Sequence, residues 1–189
     1  MRTLIVTEFV SLDGVVDSPG GGDHPHAGWT FKDVAFDEAA YELKGREQLE
    51  AAAMLLGRVS YDEFAPVWPT MEEFKEYNEM PKYVVSTTLD EDAVANGPWQ
   101  HCHVLRSLDD VAALKQGDGG PIIVHGSATL AQGLAKAGLV DRYHLLVFPV
   151  TLGSGKRLWA DDADKTKLAL VEHASYANGI QMAVYDVAR

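Results

Sequence analysis

The residues of this chain best suited to chemistry lie in the stretch Pro121 to Leu134, PIIVHGSATLAQGL. A short apolar run reaches Gly126. Ser127, Ala128, Thr129 and Leu130 then open an Ala/Leu pattern of helical spacing. A buried strand that ends where a helix begins leaves the first helical amides without intrahelical partners, and such amides bind anions. Gly126 lets the backbone come close to a ligand, and Ser127 or Thr129 can add a hydroxyl. Most strand–glycine–helix junctions are plain connections, so this one needs company before it means a phosphate site. It has two companions, Gly57-Arg58 and Ser86-Thr87, each just past another apolar run. Arg58 is placed to grip a phosphate in bidentate fashion. It also stands four residues before Asp62, the spacing of an ordinary exposed helix pair, and the sequence leaves both readings open.

The elements that must position these residues follow from periodicity. Leu4 to Val10 reads as a buried strand, and Ser11 to Asp33, with SPGGG and HPH, as a long loop of the kind that is functional or mobile. A helix is predicted from about Asp37 to Ala52, a strand over Met54 to Leu56 and a helix over Arg58 to Phe64. Lys82 to Thr87 and His103 to Leu105 read as strands, and Leu108 to Lys115 as a helix with Asp109 and Asp110 in its first turn. An extended run starts near Arg142. Leu168 to Tyr176 and Ile180 to Val187 flank Asn178-Gly179, a tight hairpin signal. Strands alternate with helices and a strand pair closes the chain. The expected fold is α/β, a mostly parallel sheet with an antiparallel C-terminal hairpin, in one domain over residues 1–189. In such sheets ligands bind outside the carboxyl ends of the strands, where the three polar strand ends fall.

Composition narrows the function. The formal net charge of -12 disfavours nucleic acid and anionic membrane as partners, yet leaves room for a small phosphorylated ligand held by local cations. Cys102 is the single cysteine, which rules out an internal disulfide and a cysteine-rich zinc site. The first residues carry Glu8 and Asp13 without a cleavage-site pattern, and read as a strand rather than a signal peptide. A cytoplasmic protein is the expectation. GSGK at Gly153 to Lys156 is not a Walker loop, because Val150 and Arg157 occupy positions that the loop requires to be glycine and Ser/Thr. His101 and His103 share a strand face, but no further ligand set accompanies them, so no metal is expected. Neither a G-x-S-x-G elbow nor a zinc-deaminase signature occurs.

Taken in order, SLDG (Ser11 to Gly14), LLGRVSYDEF (Leu55 to Phe64), KYVVST (Lys82 to Thr87), VHGSATL (Val124 to Leu130) and LVDRYHLLVFPVTLGSGKRLW (Leu139 to Trp159) resemble the dihydrofolate reductase superfold. They are most similar to the C-terminal reductase domain of the bifunctional riboflavin-pathway deaminase–reductase and its stand-alone relatives. The resemblance implies NADPH as cofactor. It implies that Gly57 and Arg58 meet the adenosine-side phosphates, and that Ser60 faces the pyrophosphate. It places Ser86 and Thr87 near the adenosine 2′-phosphate, and Gly126, Ser127, Ala128, Thr129 and Leu130 around the pyrophosphate. Ser127 departs from relatives that carry a second glycine there, which makes unusual backbone geometry more costly.

On the substrate side the resemblance implies that Ser11, Asp13 and Gly14 approach the nicotinamide. Pro149, Gly153 and Gly155 would line the substrate segment, and the loop with Trp29 and Phe31 would close over the site. Trp29 can equally anchor the loop. Asp13 and Asp37 are the candidate catalytic carboxylates. Each has a plain alternative: a loop-fixing role for Asp13 and helix capping for Asp37. The expected activity is NADPH-dependent hydride transfer to a small heterocyclic or ribosyl substrate, as in 5-amino-6-(5-phosphoribosylamino)uracil reduction. The alternatives are dihydrofolate reduction and a non-catalytic NADP(H)-binding dimer. A homodimer is expected from the resemblance. The deaminase half of the bifunctional enzyme is absent from this sequence.

Overall fold

The structure, a computed structural model, describes residues 1–188. Strand β1 (Leu4–Ser11) forms where β-branched and apolar residues leave no helical period, and nearly all of it is buried. The loop after it contains one helical turn, α1 (Trp29–Lys32). Helix α2 (Glu38–Glu50) begins where the Asp37 carboxylate accepts from the amide of Ala39. Its buried positions are Ala40, Leu43, Lys44 and Glu47, one helical stripe with two apolar and two charged members.

Next come β2 (Ala53–Gly57) and α3 (Arg58–Phe64), then two 3-10 turns and α4 (Lys75–Glu79). Strand β3 (Lys82–Val85) stops two residues short of the expected Thr87, so Ser86 and Thr87 lie in the turn beyond it. They are followed by α5 (Glu91–Ala95), β4 (Cys102–Leu105) and α6 (Leu108–Gln116), whose start is closed by a Ser107/Asp110 capping box. The chain continues through β5 (Ile122–His125), α7 (Ala128–Lys136) and β6 (Arg142–Phe148). The hairpin of β7 (Leu168–Ser175) and β8 (Gln181–Val187) turns around Asn178-Gly179, with Gly179 at φ +89 and Asn178 accepting from the Ile180 amide.

All eight strands form one sheet in the order β4-β3-β2-β5-β1-β6-β8-β7. The pairings from β4 through β6 are parallel, and those of β8 with β6 and β7 are antiparallel. Helices cover both faces. Val111 of α6 and Leu130, Ala131 and Leu134 of α7 pack on Leu4, Val6, Leu55 and Val124. On the other face α2 covers Leu146, Phe148 and Met182, while α3 and α4 cover Met54, Leu56 and Ile123. Among the described residues no helix is long and apolar enough to cross a membrane.

Strand length decides where the sheet opens. Strand β5 pairs with β1 only as far as Thr7↔His125, whereas β1 stays paired with β6 to Ser11↔Phe148. Past His125 the chain leaves the sheet through Gly126 (φ +62) and Ser127 (φ +67), both left-handed. A slot therefore lies between the second half of β1 and the end of β2, at the carboxyl ends of the parallel strands.

Candidate functional site

The slot is the floor of a cavity of about 1070 Å³. That is at the upper end of the ~300–1,000 Å³ spanned by small-molecule sites, enough for more than one small ligand. Its walls come from Thr7, Glu8 and Phe9 of β1, Tyr41, Lys44 and Gln48 of α2, and Gly57 to Ser60 at the β2–α3 junction. His125 to Leu130 form the β5–α7 junction side, and Val16 to Gly22 with Lys156 form the rim.

One end suits phosphate. The amides of Ala128, Thr129 and Leu130 belong to the first turn of α7, where no acidic side chain competes for them. A Cβ on Gly126 would sit 3.6 Å from Ser60 Oγ and Phe64 Cζ, so the turn lies close against α3. Ser127 holds a left-handed conformation that costs a non-glycine residue about 1–2 kcal/mol. Its hydroxyl offsets this by accepting from the Gly57 amide at 2.9 Å and donating to Ser60 Oγ at 2.8 Å. Two of the expected strand ends are thus tied together by Ser127. Arg58 lines the same cavity, half-exposed, while its Nε donates to Asp62 at 2.7 Å. The pairing with Asp62 is thus formed, and the side chain still borders the cavity. The third strand end behaves differently. Ser86 is buried, and its hydroxyl accepts from the amides of Thr88 and Leu89. Neither it nor Thr87 lines the cavity.

The other end is a buried polar floor. Thr7, His125 and His144 stand at one register on three adjacent strands. Glu47 reaches down from α2, accepting from the Thr7 hydroxyl at 2.7 Å and lying 2.8 Å from His144 Nδ1. A carboxylate only accepts, so His144 carries its proton on Nδ1. Lys44 donates to Thr7 and lies 3.3 Å from Glu47 Oε2. Burial alone would raise the Glu47 carboxyl, but Lys44, His144 and Thr7 together hold it down at about 2. Glu8, 3 % exposed, goes the other way: burial, only partly countered by Lys44, pushes it up to about 8. Burial drives His125 down to about 3, so it stays neutral. Its ring meets Trp68 edge-on at 5.2 Å, and Trp68 stacks between Phe64 and Phe74 at 4.2 and 4.1 Å. Glu8 Oε1, Gln48 Oε1, the Tyr77 hydroxyl and His125 Nδ1 are buried without a hydrogen-bond partner among the described residues, and all four residues line this one cavity. Buried polar atoms are normally paired, so four orphans around one cavity make it a candidate ligand site.

The structure places the expected substrate-side residues elsewhere in the fold. None of Ser11, Asp13, Gly14, Trp29, Phe31, Pro149 or Gly153 lines the cavity. Asp13 accepts from Ser11 Oγ at 2.7 Å and from the amides of Leu152 and Gly153 at 3.1 and 2.7 Å, and these bonds hold its carboxyl down at about 2. A group so committed donates no proton near neutrality. Arg157 donates to the Asp13 carbonyl and lies 3.8 Å from a Cβ placed on Gly14. Together these contacts brace the turn after β1 against residues 150–158 and carry Val16 to Gly22 to the rim. Asp37 is half-buried and caps α2. Trp29 is fully buried, donating to the Asp17 carbonyl and meeting Phe148 edge-on, and so anchors the loop. Phe31 is exposed, and Pro149 packs on Gly179.

The residues that sequence reasoning missed are Thr7, Glu8, Lys44, Glu47, Gln48, Tyr77, His125 and His144. Two signals were available. A glutamate interrupts the apolar run LIVTEFV, and Lys44 and Glu47 fall at helical spacing from Ala40 and Leu43.

A single open α/β sheet of this order, with a large cavity at its parallel strand ends, defines the dihydrofolate reductase-like class. The model of the RibD C-terminal domain family matches residues 2–182, and the chain belongs to that family. The uncharacterized protein YyaP of Bacillus subtilis is 26 % identical over 196 residues, covering 97 % of this chain and 94 % of its own. In fold the chain is similar to a putative riboflavin biosynthesis protein from Shewanella sp. PV-4, with TM-score 0.79 and 20 % identity over 99 % of both chains. It is also similar to the dihydrofolate reductase of Enterococcus faecalis, solved with NADP(H), with TM-score 0.60 and 12 % identity over 99 % of this chain and 97 % of that one.

Proposed function

We propose that this protein is an NADPH-dependent reductase acting on a small heterocyclic or ribosyl substrate. The observation that carries the reading is the two-ended cavity. Unpartnered helix amides, Arg58 and Lys156 suit a dinucleotide's phosphates at one end. Unpartnered buried polar atoms beside an aromatic wall suit a planar, hydrogen-bonding substrate at the other. Membership of the RibD C-terminal domain family and the likeness to a dihydrofolate reductase holding NADP(H) support it. Bound NADPH would supply the hydride. The chain's part is to orient both molecules across the slot and to exclude water with the Val16 to Gly22 rim.

Fluorescence titration with NADPH, followed by NADPH oxidation with 5-amino-6-(5-phosphoribosylamino)uracil and with dihydrofolate, tests the proposal. Saturable binding with turnover of the uracil is the expected result. Turnover of dihydrofolate alone reassigns the substrate. Binding with no turnover over a broad panel of heterocycles leaves a nucleotide-binding protein. No binding at millimolar NADPH rejects the reading. We also propose a homodimer, supported by exposed Leu170 and Val171 on the edge strand β7. A monomer in sedimentation equilibrium would reject it.

A further inference from the structure

We propose that Glu8 is the proton donor of the reduction, resting on the reductase reading of this cavity. The geometry singles it out. Its side chain projects from β1 just past Thr7, the last residue that β5 pairs, and lines the cavity at 3 % exposure. Its Oε1 has no hydrogen-bond partner among the described residues, so that atom is left for a ligand. Asp13 and Asp37, the carboxylates that motif position favours, are committed to the loop brace and to the cap of α2.

The groups around Glu8 support the role. On α2, Lys44 and Glu47 act on it with opposite signs, Lys44 favouring its ionised form and Glu47 its acid form. His125 of β5, Tyr41 of α2 and Tyr77 of α4 line the same cavity, and His144 of β6 stands behind Glu47. Burial outweighs these charges and keeps the carboxyl protonated at neutral pH, where an acid catalyst must hold its proton. The step balances. An electrophilic carbon of a C=N or C=O group gains a hydride, with its two electrons, from the reduced nicotinamide. The nitrogen or oxygen of that group takes the Glu8 proton as the π bond breaks. Bound NADPH would leave as NADP⁺, Glu8 would become a carboxylate in the field of the Lys44 ammonium, and solvent would return its proton when product leaves.

The test reads the carboxyl directly. Isotope-edited infrared difference spectra between wild type and Glu8→Gln, without ligand and with NADPH, report whether Glu8 is protonated. The expected result is a protonated-carboxyl band at neutral pH that titrates away near pH 8 and is missing in the variant. A Glu8 already ionised at pH 6 overturns the assignment even if NADPH binds. Wild type that fails to bind NADPH rejects the reductase reading, and the donor with it. For any substrate the wild type reduces, Glu8→Gln is expected to keep NADPH affinity and lose at least ~100-fold in kcat, with partial recovery in Glu8→Asp. Unchanged kcat in Glu8→Gln also overturns the proposal.

Discussion

Glu8 and Glu47 are both buried carboxylates that feel the Lys44 charge, yet their surroundings push them apart. Glu47 has three stabilising partners and a folded value of about 2, below the ordinary 4.5. The stability it contributes is full above that ordinary value and is lost as pH falls toward 2. Glu8 has a folded value of about 8, above the same 4.5. Between those values the unfolded chain ionises at Glu8 and the folded protein does not, so rising pH costs stability. Urea unfolding of wild type and Glu8→Gln across that window is expected to show wild type losing up to about 1.4 kcal/mol per pH unit relative to the variant. A pH-independent difference would mean Glu8 is ionised in the folded protein. Arg58 gives a second prediction at this scale. Arg58→Ala should weaken NADPH roughly tenfold or more, and NADH less, because the added 2′-phosphate is what a guanidinium recognises. Equal loss for both cofactors, read by fluorescence titration, would reduce Arg58 to the partner of Asp62. That pairing was legible in the sequence, since a spacing of four on a helix is local. The commitment of Asp13 to Leu152 and Gly153 was not, because those amides lie 139 and 140 residues away.

Among the elements, the junction of β5 and α7 governs the end of the cavity proposed for phosphate. Its strand, glycine and helix were readable because each is set by neighbours in the chain. Two facts about it were not. Ser127 spends its hydroxyl on Gly57 and Ser60 rather than on a ligand, and the amides of α7 therefore remain the chief anion donors at that turn. Exposed Thr129, in the first turn of α7, separates helix stability from binding. Thr129→Glu places a negative charge where the helix dipole favours it, so thermal stability should hold or rise, by about 0.3–1 kcal/mol. The same charge opposes a pyrophosphate, and NADPH affinity should fall by roughly tenfold or more. Unchanged affinity with a stable fold would move the pyrophosphate away from α7. Strand β3 shows the limit of local reading in another way. KYVVST looks extended throughout, but the Ser86 hydroxyl accepts from the Thr88 and Leu89 amides and turns the chain after Val85.

For the molecule as a whole, a ligand that bridges β1, β2, α2 and α7 must stabilise their mutual packing. NADPH at about 100 times its dissociation constant is expected to raise the unfolding free energy by about 2.7 kcal/mol, read as a shift of the thermal midpoint. Binding without such a shift would mean that the cofactor binds the unfolded chain as well as the folded protein. The sequence by itself determined the α/β class, the order of most strands and helices, the closing hairpin and the anion-suited turn at Gly126. These depend on periodicity, turn residues and capping, which act over a few residues. Only the tertiary structure decided that β5 would stop at His125 while β1 ran on to Ser11, and so where the slot would open. It also decided that Glu47 would meet His144, 97 residues away, and that Glu8 would remain without a partner at Oε1. Burial is a property of the assembled sheet and helices, and it is burial that turns a glutamate in an apolar strand into a neutral acid facing a cavity.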